Sequence, residues 1–273
     1  MKTILKGLIC SLPLLLLPLT GQARTLQPGV LTIGSDLTYP PYNYLQNNQP
    51  AGFDAELMAL IGAPLKLKPE VKDTRFASLI LGIKASKFDV VASTLYVTPE
   101  RAAQVSFLPY MKTGGAFLVL THSAFTPKTP EELCGKRVSS IKGGAWIARL
   151  NKVSTDYCKP HGQGPITVQE FPTSPEATQA LMSGAVDVQY EDAAVAKSSV
   201  EKTGGKLKIS TTSIVYPVVV GLAVSKDNPE LLADLKKAFE QKISDGSYEQ
   251  LLKKYNVQMP DDQEVEKALA GTL

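Results

Sequence analysis

The chain has 273 residues, of which 44% are hydrophobic and 20% charged, with a formal charge of +3. So even a balance implies no polyanion partner, and the absence of any basic run interleaved with aromatics excludes nucleic acid as an expected ligand. Past the first two dozen residues no apolar stretch is long enough to cross a membrane.

Residues 1–23 read as a secretory signal peptide. Lys2 and Lys6 precede the apolar run from Gly7 to Leu19, and Gly21 and Ala23 put small residues where a signal peptidase reads. Pro13 and Pro18 break the run, which is short for a membrane span. A lipoprotein anchor on Cys10 competes with this, but the cysteine lies early in the run and Ile9 is bulky for that site. Removing 23 of 273 residues leaves 250, and losing Lys2 and Lys6 leaves 27 basic against 26 acidic side chains. That is enough chain for one large domain or two lobes. Two of the 3 cysteines remain, Cys134 and Cys158. In an oxidising compartment an even pair reads as one disulfide, with two free thiols as the alternative. His122 and His161 have no ligand spacing to the cysteines, so neither a metal nor a cofactor is expected.

Val30–Ile33 is a strand ended by Gly34-Ser35-Asp36, and the stretch from Asp36 to Tyr44, rich in proline and aromatics, reads as a stiff loop. Tyr39, Tyr42 and Tyr44 either face a cleft or cover the core. Phe53, Leu57, Leu60 and Ile61 recur at helical spacing, Lys66–Val71 is a second strand, and Phe76–Ile83 a second helix. Phe88–Ala92 is a buried strand that runs into the hydroxyls Ser93, Thr94 and Tyr96. Thr98-Pro99-Glu100 then opens a helix. Arg101 is a cation in the first turn of that helix, against the positive end of the dipole, so a negative partner is expected. That partner is either a bound carboxylate or a surface acid such as Glu100.

Strands alternating with helices predict parallel strands with right-handed crossovers and a ligand at their carboxyl ends, where Asp36 and Ser93 to Tyr96 fall. Ala116–Leu120 is a strand entering a second lobe, which repeats the plan. Strand Lys136–Ile141, turn Lys142-Gly143-Gly144 and helix Ala145–Asn151 come first. Strand Ile166–Phe171 follows, then helix Ser174–Met182 capped at Ser174, then strand Ala185–Gln189 ending in Tyr190-Glu191-Asp192. The glycines before Ala145 allow an anion to approach the helix amides. Glu191 and Asp192 mark either a ligand site or a solvated helix start. Val215–Val224, interrupted by Pro217, reads as a return crossing plus a separate strand. A helix with Leu231, Leu235, Phe239 and Ile243 inward follows, then a last one with Tyr248, Leu251, Leu252 and Tyr255.

Together, Gly34-Ser35-Asp36 with Tyr39-Pro40-Pro41, Gly52-Phe53-Asp54, Phe88 to Arg101, Phe107 with Pro109-Tyr110, Leu133 to Val138 and Asp245-Gly246-Ser247-Tyr248 resemble the periplasmic amino-acid-binding proteins that feed ABC transporters. The resemblance covers nearly all of the chain after residue 23. It implies an α/β, type II periplasmic binding fold, with two lobes that are each a mostly parallel sheet flanked by helices, joined by a two-stranded hinge. Residues 24–113 with 216–273 are expected to form lobe I and 114–215 lobe II. The implied partners are a small amino acid or related amine and an inner-membrane ABC permease, with the protein a monomer in the periplasm.

By the same resemblance, Arg101 pairs with the ligand carboxylate, helped by amides at Gly144, Ala145 and Trp146. Asp192 receives the ammonium together with groups around Ser93 and Thr94, Tyr39 and Phe76 sandwich the side chain, and Asp36 meets its polar tip. The chain departs from that pattern at Tyr96, where a small hydroxyl residue is usual, and at Gly144 and Ala145, where a serine or threonine pair is usual. With Trp146, these changes suggest an aromatic enclosure for a flat ring or an alkylated cation, although Trp146 packing on the hinge is the alternative. No nucleophile, metal or nucleotide motif argues for an enzyme. The resemblance leaves a secreted cyclohexadienyl dehydratase as a second reading, with Glu191 or Asp192 as proton donor.

Overall fold

In the computed structural model, residues 24–273 are described. The signal-peptide and Cys10 readings fall outside them.

Strand β1 (Val30–Ser35) is followed by three short strands, β2 (Thr38–Tyr39), β3 (Asn43–Gln46) and β4 (Gln49–Ala51). These pair with one another as a small antiparallel sheet, where the sequence suggested only a loop. Helix α1 (Phe53–Leu65) buries Phe53, Leu57 and Ile61 as its periodicity predicts, and it ends on Lys66 in the left-handed region. Strand β5 (Lys68–Asp73), a 3-10 turn at Phe76–Ser78, helix α2 (Leu79–Lys84) and strand β6 (Val90–Val91) complete a parallel set, β5-β1-β6. Helix α3 (Pro99–Ala102) is a single turn, with the Thr98 hydroxyl accepting from the Arg101 amide.

One 16-residue strand, β7 (Val105–Leu120), then runs from the first lobe into the second. There, β8 (Arg137–Ile141), α4 (Trp146–Val153), β9 (Thr167–Phe171), α5 (Ser174–Met182), β10 (Val188–Asp192), α6 (Ala193–Lys202) and β11 (Leu207–Ile209) follow. β9, β8 and β10 are parallel, while β7 lies antiparallel to β10 and β11. The α5 cap is Thr173 and not Ser174, which frees the Ser174 hydroxyl for Glu191. Glu191 and Asp192 belong to β10 itself and are fully buried, so the solvated-helix-start reading is excluded.

Strand β12 (Val215–Ser225) is continuous, contrary to the reading that Pro217 breaks it. Register shifts at Val215/Pro217 and Val220/Gly221 absorb the proline and keep the pairing with β7. The full order is β5-β1-β6-β12-β7-β10-β8-β9, so β7 and β12 are the two strands that join the lobes. At the crossing, a Cβ on Gly115 would meet the Tyr190 ring at 2.2 Å, so only glycine lets that ring lie against β7. Helices α7 (Pro229–Ser244) and α8 (Ser247–Tyr255) return to the first lobe, with Leu231, Leu235 and Phe239 buried. Ile243 is exposed, because the i, i+4 series drifts around the helix and by its fourth member has left the buried face. A further helix, α9 (Asp262–Ala270), was not foreseen, although Asp261 and Glu264 form a capping box at its start.

Cys134 and Cys158 form a disulfide with Cα atoms 5.5 Å apart, tying the turn before β8 to the end of the α4 segment. Closing this loop, of 24 residues in separation, restricts the unfolded chain. Replacing both cysteines by serine is therefore expected to lower the unfolding free energy by about 3 kcal/mol. Urea denaturation of the two proteins measures this, and equal midpoints would mean that the bond adds nothing.

Candidate functional site

Asp36 follows β1, Ser93 to Tyr96 follow β6, and Gly143 to Trp146 follow β8, so each comes from the carboxyl end of a parallel strand. Ten of the eleven residues singled out from the sequence line one cavity of about 350 Å3 between the lobes: Asp36, Tyr39, Phe76, Ser93, Thr94, Tyr96, Arg101, Gly144, Ala145 and Trp146. Ile141, an apolar strand residue with no sequence signal for such a role, also lines it, and Asp192 does not. The exposed wall is mostly apolar.

The Arg101 side chain is buried and makes no salt bridge among the described residues. Its Nη1 donates to the Tyr96 carbonyl at 2.8 Å and its Nη2 to the Gly143 carbonyl at 3.0 Å, so it joins one lobe to the other. The guanidinium carbon lies 5.4 Å from the centre of the Phe76 ring. Burial lowers its pKa to about 10, which leaves it charged at neutral pH. The surface pair with Glu100 weighed from the sequence is not formed.

The neighbouring polar groups are largely engaged. Asp36 accepts from the Thr38 hydroxyl at 2.7 Å and the Phe76 amide at 2.8 Å, and pairs with Arg75 at 3.1 Å. Ser93 accepts from the Asp36 amide at 2.9 Å. Thr94 sits at φ 49°, its amide donating to Asp54 at 2.7 Å and its hydroxyl accepting from Asn43 at 3.0 Å. This network of Asp54, Asn43 and Tyr110, which the sequence did not reveal, holds the turn after β6 in place. The Gly144 amide donates to the Ile141 carbonyl at 3.2 Å, so of the expected amide clamp only Ala145 and Trp146 remain.

Trp146 is buried where the two lobes meet. It lines the cavity, and it packs edge-on against Tyr96 (5.6 Å between centroids) and Tyr190 (4.9 Å), with its indole nitrogen donating to Ser140. A Cβ on Gly144 would come within 2.9 Å of the indole, so glycine is what lets the ring fold back. Tyr42 is core, Tyr44 is half-buried, and only Tyr39 of the three loop tyrosines reaches the cavity.

Asp192 does not line the cavity; it is fully buried and bonded to Tyr96, which does. The Tyr96 hydroxyl donates to its carboxylate at 2.8 Å, Thr113 at 2.9 Å, and the Ala194 amide at 3.0 Å as the cap of α6. Beside it, Glu191 accepts from Tyr39 at 2.5 Å, Gln189 at 3.0 Å, the Asp192 amide at 2.9 Å and Ser174. Burial raises Glu191 to about 7 and is also the first cause of the raised values of Asp36, Asp54 and Asp192.

A model of the bacterial extracellular solute-binding proteins, family 3, matches residues 31–258. The chain belongs to that family. It is 27% identical over 236 residues to the histidine-binding periplasmic protein of Escherichia coli K12, covering 84% of this chain and 88% of that protein. An ancestral arginine-binding protein solved with arginine has a TM-score of 0.76 and 33% identity, covering 83% of this chain and 98% of that one. An ancestral amino acid-binding protein described as a precursor of cyclohexadienyl dehydratase has a TM-score of 0.69 and 28% identity, covering 83% and 95%. Helix α9 lies beyond the segment that the family model matches.

Glu191 gives this member of the family a defined pH response. Its carboxyl titrates near 4.5 when unfolded and about 7 when folded, so between these values the folded state holds the extra proton. Stability therefore falls as pH rises through that window and levels off above it, by up to roughly 3 kcal/mol. Urea midpoints across the window are expected to decline for the native protein and to stay flatter for Glu191→Gln. The same slope in both would remove Glu191 as its source.

Proposed function

We propose that this protein captures a small carboxylate-bearing solute of the amino-acid type between its lobes and passes it unchanged to an ABC permease. The observation that carries the reading is the Arg101 guanidinium, buried beside an apolar cavity with no counter-anion. An unpaired buried charge costs several kcal/mol, and a ligand carboxylate supplies the missing partner in a geometry that suits a planar fork. The names of the relatives support an amino-acid-type ligand, since one binds histidine and a solved neighbour holds arginine.

We assign residues 24–113 with 216–273 to one lobe and 114–215 to the other, the protein working as a monomer in the periplasm after residues 1–23 are removed. Tyr39 to Glu191, Tyr96 to Asp192 and Arg101 to Gly143 are hydrogen bonds that would break on opening. A ligand touching both lobes adds to them and shifts the population toward the closed state.

The dehydratase reading draws on one observation, a Glu191 held near 7, in the range a proton donor needs. Its oxygens already accept from Tyr39, Ser174, Gln189 and the Asp192 amide, and it does not line the cavity. Prephenate and arogenate are expected to be recovered unchanged from the purified protein.

For the binding reading, a thermal-shift screen of refolded, ligand-free protein against amino acids supplies the probe. Arg101→Ala is expected to weaken its binding at least tenfold, on the order of 1.4 kcal/mol or more, with the fold intact. Calorimetry with unchanged affinity would remove the carboxylate assignment.

A further inference from the structure

We propose that Tyr96 denies the cavity an anionic acceptor for a ligand's ammonium, so that the site selects a carboxylate bearing a flat ring and gains nothing from an amino group on it. This rests on the reading of Arg101 as the carboxylate partner and names the chemistry that partner admits.

An ammonium taken out of water needs a negative acceptor, and each carboxylate near the cavity already has its donors. Asp192 is held by Tyr96, Thr113 and the Ala194 amide, and of these Tyr96 lines the cavity while Asp192 does not. Asp36 is held by Thr38, the Phe76 amide and the Arg75 cation. Glu191 is held by Tyr39, Ser174, Gln189 and the Asp192 amide. The Thr94 hydroxyl accepts from Asn43 and leans toward Asp54. What is left for an ammonium is the remaining capacity of the Ser93 hydroxyl and neutral backbone carbonyls.

Charge counting points the same way. Arg101 is the cation in the cavity wall without an acid partner, while Asp36 has Arg75. A plain carboxylate brings this pair of charges to zero, whereas a zwitterion leaves the desolvated site one positive charge in excess. The remaining wall, with Tyr39, Phe76, Tyr96 and Trp146, offers ring faces and edges that suit a flat hydrophobic body.

The test uses matched triads of phenyl, hydroxyphenyl, indolyl and imidazolyl compounds. Each triad holds the L-amino acid, the carboxylate lacking its amino group, and the amine lacking its carboxylate. Calorimetry on refolded mature protein is expected to show the des-amino carboxylate binding at least as tightly as its amino acid, with no binding of the amine. Tyr96→Ser uncovers Asp192 and is expected to shift that preference at least tenfold toward the amino acid. An amino acid that binds the native protein tenfold or more tighter than its des-amino partner overturns the inference and leaves the Arg101 reading intact. Failure of every des-amino carboxylate to bind also overturns it. Binding by amines alone overturns both readings. The ratio in the native protein decides even if the serine variant fails to fold.

Discussion

A guanidinium buried without an acid is the constraint on which this site depends. Arg101 cannot shed its charge at neutral pH even with its pKa lowered to about 10, so the surrounding backbone must hold it. The Thr98 cap fixes the single turn that aims it, the Tyr96 carbonyl takes one nitrogen from the same segment, and the Gly143 carbonyl takes another from across the cleft. Neutral carbonyls solvate a cation only partly, which leaves the electrostatic demand for an anion built into the closed form.

The other contacts across the cleft are of a different kind. Tyr39 and Tyr96 reach from the first lobe to Glu191 and Asp192, two adjacent carboxylates on β10 whose burial would be costly without these donors. The two tyrosines thus serve the cavity with their rings and the opposite lobe with their hydroxyls. The contacts across the cleft and the shape of the cavity are set by the same side chains. Tyr190, whose ring lies against Gly115, donates to the Val215 carbonyl and meets Trp146 edge-on, which ties both crossing strands to the cavity wall.

Much of this was legible in the sequence, because burial of one helix face or of a whole parallel strand writes a period into the residues. The order of strands and helices, the Thr98 cap and the residues at strand ends followed from that. The small sheet at residues 38–51 did not, since its strands are two to four residues long, with Pro40 and Pro41 between the first two and Pro50 inside the third. Nor did the continuity of β12, because a bulge conceals what a proline would otherwise forbid. Helix α9 is marked in the sequence only by the capping-box pair Asp261 and Glu264, since of its residues only Ala268 is buried and no apolar stripe accompanies the cap. The cavity residues could be proposed one at a time from strand ends, but Asp192 shows the limit. Whether a buried carboxylate faces a ligand or a tyrosine depends on contacts 96 residues apart in the chain.

Tyr96 and the Gly144-Ala145-Trp146 turn shape the cavity wall together. Tyr96 fills the approach to Asp192, and Trp146 fits beside Tyr96 only because Gly144 has no side chain to obstruct the indole. The Gly144 amide turns back to the Ile141 carbonyl, and the indole beside it lines the wall. On the proposed reading, the charged head of a ligand finds few free hydrogen-bonding groups here while its body finds ring faces. Aromatic contacts of this sort contribute about 0.5 to 1.5 kcal/mol each beyond area burial, less than a charge-assisted hydrogen bond of about 1.5 to 3 kcal/mol, so more than one ring is needed to offset each bond the head forgoes.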